Sequence, residues 1–277
     1  MKKLESRERD REFVSGLARG LSVIECFDEQ HPEMTLSEVA HRTGLSPATA
    51  RRSLRTLASL GYVRAVNRHF TLSARILALG SSYLRSAGIE GALLPELRRL
   101  VAQCGDAAGV AILTGNEILY IAHYSEQRGV RPVAGTGVTY PAYPTSLGRM
   151  LLSALPKPEL DRYLSTTKFE KHTNVTEVDP RKLRVLIEDA KRQSYASIVD
   201  QLFYGVTSLS IPIVIPPGRV VAALNTSGYS GQVTPESLIK TRLPEMKKSA
   251  ARIAELIVQH PLLLHSLEPT AELTGRI

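Results

Sequence analysis

The sequence predicts an α+β fold: an N-terminal winged helix-turn-helix, a linker helix, and a larger C-terminal α/β domain. Three observations carry that expectation. Residues 35–61, TLSEVAHRTGLSPATARRSLRTLASLG, read as two capped helices joined by a tight turn. Across residues 39–89 there is no Asp or Glu, and there are eight Arg. Beyond residue 90, β-rich runs paired by turn signals alternate with segments of helical period. A chain of 277 residues can bury one large core or two smaller ones.

The elements follow in order. Residues 1–14 alternate Glu5, Glu8, Asp10 and Glu12 with Lys and Arg, and read as a polar arm. Residues 15–27 form a first helix, with Leu17, Leu21, Ile24 and Phe27 at helical spacing to cover the helix-turn-helix from behind. Thr35 and Glu38 make a reciprocal capping pair that satisfies two orphan backbone donors. Gly44 ends that helix in a left-handed cap. Ser46 caps the next helix, and Pro47 occupies its first turn, where a missing N–H does no harm.

The second helix has two faces. Ala50, Leu54, Leu57 and Ala58 fall on one side and pack inward. Ala48, Thr49, Arg52, Arg55 and Thr56 fall on the other. Arginines, hydroxyls and small side chains without an acid suit a DNA major groove: Arg pairs with the guanine edge, and small residues let the backbone approach. A solvated face is the plain alternative, but such a face usually mixes both charge signs. Candidate DNA contacts are therefore Ser46, Ala48, Thr49, Arg51, Arg52, Arg55 and Thr56. Strands at 62–66 and 70–72, around Asn67-Arg68-His69, make a wing. From it Arg64 and Arg68 meet phosphate or the minor groove, or serve solubility alone.

Residues 73–87 form a helix that carries Ile76, Leu77, Leu79 and Leu84. It is apolar over a wide arc, so it reads as a linker that also pairs with a second subunit. The expected domains are 1–14 arm, 15–72 winged helix-turn-helix, 73–90 linker, 91–262 effector-binding domain and 263–277 tail. In the larger domain, helices are expected at 94–105, 146–154, 158–164, 180–193 and 234–259, with Pro244 breaking or kinking the last. Strands are expected at 107–113, 118–123, 196–199, 208–214 and 219–226. The Gly- and Pro-rich stretch 130–144 reads as a long functional loop.

Other chemistry finds little support. Cys26 and Cys104 sit among apolar residues without a C-x-x-C pattern, and read as buried thiols. No metal ligand set and no cofactor motif are present, so neither is expected. Two S-x-x-K matches, Ser165 with Lys168 and Ser237 with Lys240, lack the further motifs that give this pair meaning. No secretory or membrane-spanning run appears, which points to a cytoplasmic protein without a membrane partner. The net charge of +8 is informative because of where the arginines cluster.

From about residue 15 to 260 the chain resembles the IclR family of bacterial transcriptional regulators. The first match lies in LSPATARRSLRTLASLGYV, where Thr49, Arg52, Leu54 and Leu57 precede Leu-Gly-Tyr. Arg51 departs from the pattern, since an aromatic residue is common there. The second match is VTYPAYPTSLGRMLLSAL, similar to the family's segment at the mouth of the effector pocket. The third runs through IVDQ, GVTSLSIPIV and GRVVAALNTSGYSGQVTPE. The Asp-Gln pair, the Ala-Ala-x-Asn run and the later Leu-Pro are most similar to the subgroup controlling protocatechuate, p-hydroxybenzoate and β-ketoadipate breakdown. Leu202-Phe203-Tyr204 departs from it, standing where acidic residues are frequent.

The resemblance implies a GAF-like effector domain and a dimer or dimer of dimers. It places a small effector, an aromatic or dicarboxylic acid, between the sheet and residues 130–148. The implied effector-binding set is Tyr143, Thr145, Ser146, Arg149, Asp200, Ser208, Asn225 and Ser227. Thr145 and Ser146 open a helix whose free N–H groups favour an anion. Arg149 supplies a counter-charge or pairs with an acid and stays structural. Tyr140 and Tyr143 wall an aromatic ring or sit at a subunit contact. Sheet-end hydrogen bonding is the plain alternative for the polar members. The implied partners are a palindromic double-stranded operator, a second copy of the chain, and RNA polymerase as a further contact. An enzyme of small acids fused to a DNA-binding domain, and an architectural DNA binder without a ligand, are the two rivals.

Overall fold

A computed structural model describes residues 13–28, 30–86, 88–126 and 134–267. The expected polar arm up to residue 12, residues 130–133 of the long loop, and residues 268–277 lie outside the described residues. The chain divides into two compact units between Tyr83 and Leu84.

The first unit contains α1 (Ser15–Glu25), β1 (Glu33–Thr35), α2 (Leu36–Thr43), α3 (Pro47–Ser59), β2 (Val63–Val66) and β3 (His69–Leu72). Both expected caps form. Thr35 N–H donates to Glu38 Oε2 at 2.6 Å, and Glu38 N–H returns to Thr35 Oγ1 at 3.4 Å. Gly44 takes a left-handed φ of 68°. Ser46 Oγ accepts from Thr49 N–H at 3.3 Å. Val23, Met34, Val39, Ala50, Leu54, Leu57 and Val63 form the core.

Two expectations fail here. Leu17 and Leu21 are exposed, at 64% and 46%. Instead Val23 is fully buried, with Cys26, Ile24 and Phe27 packed beside it. The burial of this helix is therefore concentrated in its C-terminal turn and the residues just after it. Strand β1 was not expected. Three residues are too few to show a period, and the strand exists only through its pairing with β3, which sets Met34 opposite Phe70. The helix α4 (Ile76–Ser86) starts later than expected, because Ser73 hydrogen-bonds backward to Gly61 and Tyr62. None of its residues is buried, and Leu77 is 74% exposed.

The second unit is built on a six-stranded antiparallel sheet in the order β6-β5-β4-β9-β8-β7. Its strands are β4 (Ala107–Thr114), β5 (Glu117–Ser125), β6 (Thr139–Pro141), β7 (Ala196–Val199), β8 (Val206–Ile215) and β9 (Arg219–Tyr229). Helices α5 (Ile89–Ala92), α6 (Leu94–Cys104), α10 (Pro235–Gln259) and α11 (Pro261–Leu267) cover one face. Helices α7 (Ser146–Leu152), α8 (Lys157–Thr166) and α9 (Pro180–Gln193) cover the other. Strand alternation divides the core between them. On β9, Ala222 and Leu224 join the first layer while Ala223 joins the second.

Pro244 does not break α10, which runs continuously for 25 residues. Leu238 on one side of the proline, and Met246, Ile253 and Ile257 on the other, are all buried on the same sheet face. That apolar seam outweighs one lost backbone hydrogen bond. The expected tail from residue 263 instead begins inside α11. Leu263 and Leu267, four residues apart on one helix face, close the core.

Candidate DNA interface and candidate ligand site

The DNA-reading candidates lie on α3 and the β2–β3 wing. Inward packing of Ala50, Leu54 and Leu57 fixes the helix's rotation. The opposite side presents Ser46, Ala48, Arg51, Arg52, Arg55 and Thr56 to solvent, with Thr49 half-buried. Ser46 and Thr49 hydroxyls meet at 2.9 Å, and Thr56 Oγ1 donates to Arg52 O at 3.0 Å. These bonds hold the polar atoms on the outer face.

The arginines divide into two sets. Arg42 is held by the Asp28 carboxylate, by Cys26 O at 3.0 Å and by His31. Arg75 lies over the Tyr62 ring at 5.2 Å. Among the described residues, the side chains of Arg51, Arg52, Arg55, Arg64 and Arg68 make no hydrogen bond or ion pair. They are exposed cations on one helix face and one hairpin, which is the electrostatic footprint of a phosphate and base reader.

The wing is tighter than expected. Val66 pairs with His69, leaving Asn67 and Arg68 as a two-residue turn. Both have positive φ, 47° and 71°, as a type I′ hairpin requires. Arg68 therefore occupies the position where glycine is the usual residue.

The ligand candidates lie on the sheet face beneath α7. Gly148 lets that helix pack against the segment that leads into it: a Cβ there would stand 2.0 Å from the Ala142 carbonyl oxygen. Register then sets Ser208 opposite Ser227, and Ser210 and Gly109 on either side of Asn225. Ser146 Oγ donates to Ser208 Oγ at 2.9 Å and meets Ser210 Oγ at 2.6 Å. Asn225 Nδ2 donates to Ser208 Oγ at 3.2 Å. The structure thus brings Ser146, Ser208 and Asn225 into one cluster, with Ser210 added.

The other expected residues do other work. Thr145 Oγ1 accepts from Gly148 N–H at 2.9 Å and donates to Ala142 O at 3.0 Å, so it is the cap of a seven-residue helix. Its hydroxyl therefore takes up one of the N–H groups at the helix start, that of Gly148. Tyr143 hydrogen-bonds Glu170 and His172, and its ring packs on Phe169. Asp200 Oδ1 accepts from Val206 N–H at 3.0 Å and closes the turn into β8. Ser227 is half-buried, and its carbonyl accepts from Arg242 Nη1 at 3.2 Å. Arg149 is buried and donates to Tyr143 O at 3.0 Å and to Gln201 Oε1 at 2.7 Å. Burial pulls its guanidinium down to about 10, against the opposing influence of Glu177. Among the described residues it has no direct carboxylate partner.

Four aromatic or imidazole side chains complete the face: Tyr120, His123, Tyr140 and Phe203. Tyr140 meets Tyr120 edge-on at 6.4 Å and Phe203 at 5.4 Å. Tyr120 and His123 meet at 5.7 Å. Strict alternation would put residues 120 and 123 on opposite faces. A β-bulge beside Val110 and Ala111 reverses the parity, so that Ile121 and Ala122 both enter the far core layer. Only the pairing with β4 reveals this. Burial holds the His123 imidazole below the usual histidine range and raises the Tyr120 phenol, so both are neutral at neutral pH.

Among the described residues no group of His, Cys, Asp and Glu is placed to hold a metal ion, and no helix is long and apolar enough to cross a membrane. The thiols of Cys26 and Cys104 are free.

Two sequence families match this architecture. Residues 16–66 match the IclR helix-turn-helix domain, and residues 81–255 match the bacterial transcriptional regulator IclR C-terminal domain. The chain belongs to the IclR family. Among its relatives is the Pca regulon regulatory protein of Pseudomonas putida, 36% identical over 88% of this chain and 84% of that one. The p-hydroxybenzoate hydroxylase transcriptional activator of Acinetobacter baylyi is 28% identical over 90% of this chain and 94% of its own. A crystal structure of a protein from Rhodococcus sp. RHA1 superposes with a TM-score of 0.73, at 36% identity, covering 89% of this chain and 99% of that one. These IclR relatives are regulators of transcription and not enzymes, so the fused-enzyme rival falls. This chain is a DNA-binding transcriptional regulator of the same family.

Proposed function

We propose that the chain regulates a catabolic operon in response to a small aromatic acid bound on the sheet face beneath α7. The observation that carries this reading is the convergence there of Tyr120, His123, Tyr140 and Phe203 with Ser146, Ser208, Ser210 and Asn225. Ring-edge contacts suit an aromatic body, and neutral polar groups orient its substituents without a buried full charge. The relatives named for the Pca regulon and for p-hydroxybenzoate hydroxylase support the same ligand class.

The operator reading is a palindrome bound by two copies. Two α3 helices spaced by one turn of DNA read matching half-sites, and the exposed apolar residues of α4 supply a surface for self-association. The effector acts by population shift. It binds one arrangement of the paired subunits more tightly, which changes the separation of the DNA-binding units or their contact with RNA polymerase. Titrating p-hydroxybenzoate and protocatechuate into the protein on its own promoter tests this. Either acid should change DNA affinity, footprint or transcription. If no aromatic acid does so, the reading fails.

A further inference from the structure

Among the described residues, the hydrogen bonds around Asn225 leave its Oδ1 without a partner. Ser208 Oγ spends its only proton on Thr226 O at 3.2 Å, and accepts from Ser146 Oγ and Asn225 Nδ2. Ser146 has then spent its proton on Ser208, so Ser210 is the donor in their 2.6 Å contact. Asn225 Oδ1 is buried in a residue only 5% exposed, and no donor among the described residues reaches it. A buried acceptor left unpaired is costly, and such an atom is held for something.

An acceptor selects by chemistry. It attracts O–H and N–H groups and repels a carboxylate, whose oxygens are acceptors only. We propose that Asn225 Oδ1 accepts a hydrogen bond from a hydroxyl of the effector, so that this site favours hydroxylated aromatic acids over unsubstituted acids and over diacids lacking a hydroxyl. The proposal rests on the reading that the effector occupies this face. Asn225 sits beside Gly109, where the Tyr120 ring and Oδ1 occupy the space of the absent side chain, on the face that carries the aromatic cluster.

The test is calorimetric titration of the full-length protein with p-hydroxybenzoate, protocatechuate, benzoate, p-methoxybenzoate and adipate. At least one hydroxylated acid should bind about ten-fold or more tightly than benzoate, p-methoxybenzoate and adipate. In Asn225→Leu that preference should fall to about one-fold, while a merely structural role would weaken all acids equally and keep it. If Asn225→Leu does not fold, Asn225→Ser reads the same ratio. Equal binding of hydroxylated and unhydroxylated acids, or a ratio that survives the substitution, overturns the assignment to Asn225 and leaves the aromatic-acid reading intact. If no aromatic acid binds, both fall.

Discussion

The two candidate sites are built in opposite ways. On α3 and the wing, the functional side chains are exposed: those of Arg51, Arg52, Arg55, Arg64 and Arg68 make no hydrogen bond or ion pair among the described residues. Beneath α7, the candidates are buried and bonded to each other: Ser146, Ser208, Ser210 and Asn225 form one network. A surface that binds a polyanion needs free cations, and desolvating them beforehand would waste their charge. A face that binds one small molecule needs fixed dipoles, and fixing them requires burial and long-range pairing. Substitutions should therefore separate function from stability at the first site and entangle them at the second.

The largest expected effect is at the second site. Gly148→Ala puts a methyl group 2.0 Å from the Ala142 carbonyl oxygen, against backbone that cannot yield. Helix α7 and the segment at Ala142 must move apart, and Leu147, Leu151 and Leu152 on that helix lose packing in the core layer they share with Ala142. We expect a loss of about 3 kcal/mol or more in unfolding free energy of the second unit, read as a fall in its thermal midpoint. Effector binding should be lost together with stability. A variant of unchanged midpoint would show that α7 has room the contacts do not allow for.

That entanglement also explains what the sequence could and could not reveal. Capping residues and period sufficed for the DNA-reading helix. Ser46, Pro47, the inward Leu54 and Leu57, and the outward arginines are all local signals, and α3 forms as expected. Helix α9 and strand β7 likewise fall at 180–193 and 196–199. Strand β1 was invisible because three residues carry no period. The ligand face was only half legible. Ser146, Ser208 and Asn225 entered through family resemblance, while His123 and Tyr120 reach the same face through a bulge that local alternation contradicts. The fates of Leu17 and Leu21 show the same limit. Helical spacing identifies an apolar stripe, but only tertiary packing decides which stripe is buried.

At the first site, function should move while stability stays. Arg52→Ala should weaken specific operator binding by about 1–3 kcal/mol, read by titration against specific and scrambled duplexes, with the thermal midpoint unchanged. Arg42→Ala is the internal contrast. Its guanidinium is tied to Asp28, Cys26 and His31, so it should lower the midpoint of the first unit and leave sequence discrimination alone. If Arg52→Ala leaves specific binding intact, the recognition face is assigned wrongly.

The smallest effect is the most diagnostic, because its two parts have opposite signs. Arg68 holds a φ of 71°, in the left-handed region, at the turn position that glycine fills without cost. A side chain there raises the energy of the folded hairpin by roughly 1 kcal/mol. Nothing in the fold repays this, since Arg68 is exposed and makes no hydrogen bond or ion pair among the described residues. Strain of this kind is retained where an arginine at the wing tip meets DNA. Arg68→Gly should therefore raise the thermal midpoint of the first unit, with a gain of at most about 1 kcal/mol, because glycine also loosens the unfolded chain. The same variant should bind DNA more weakly and lower the salt slope of binding by about 1. A variant that is both more stable and as tight on DNA would leave the arginine without a reason at that position. A variant that is less stable would mean that Arg68 carries packing the hairpin needs, and would move the wing from the first kind of site to the second.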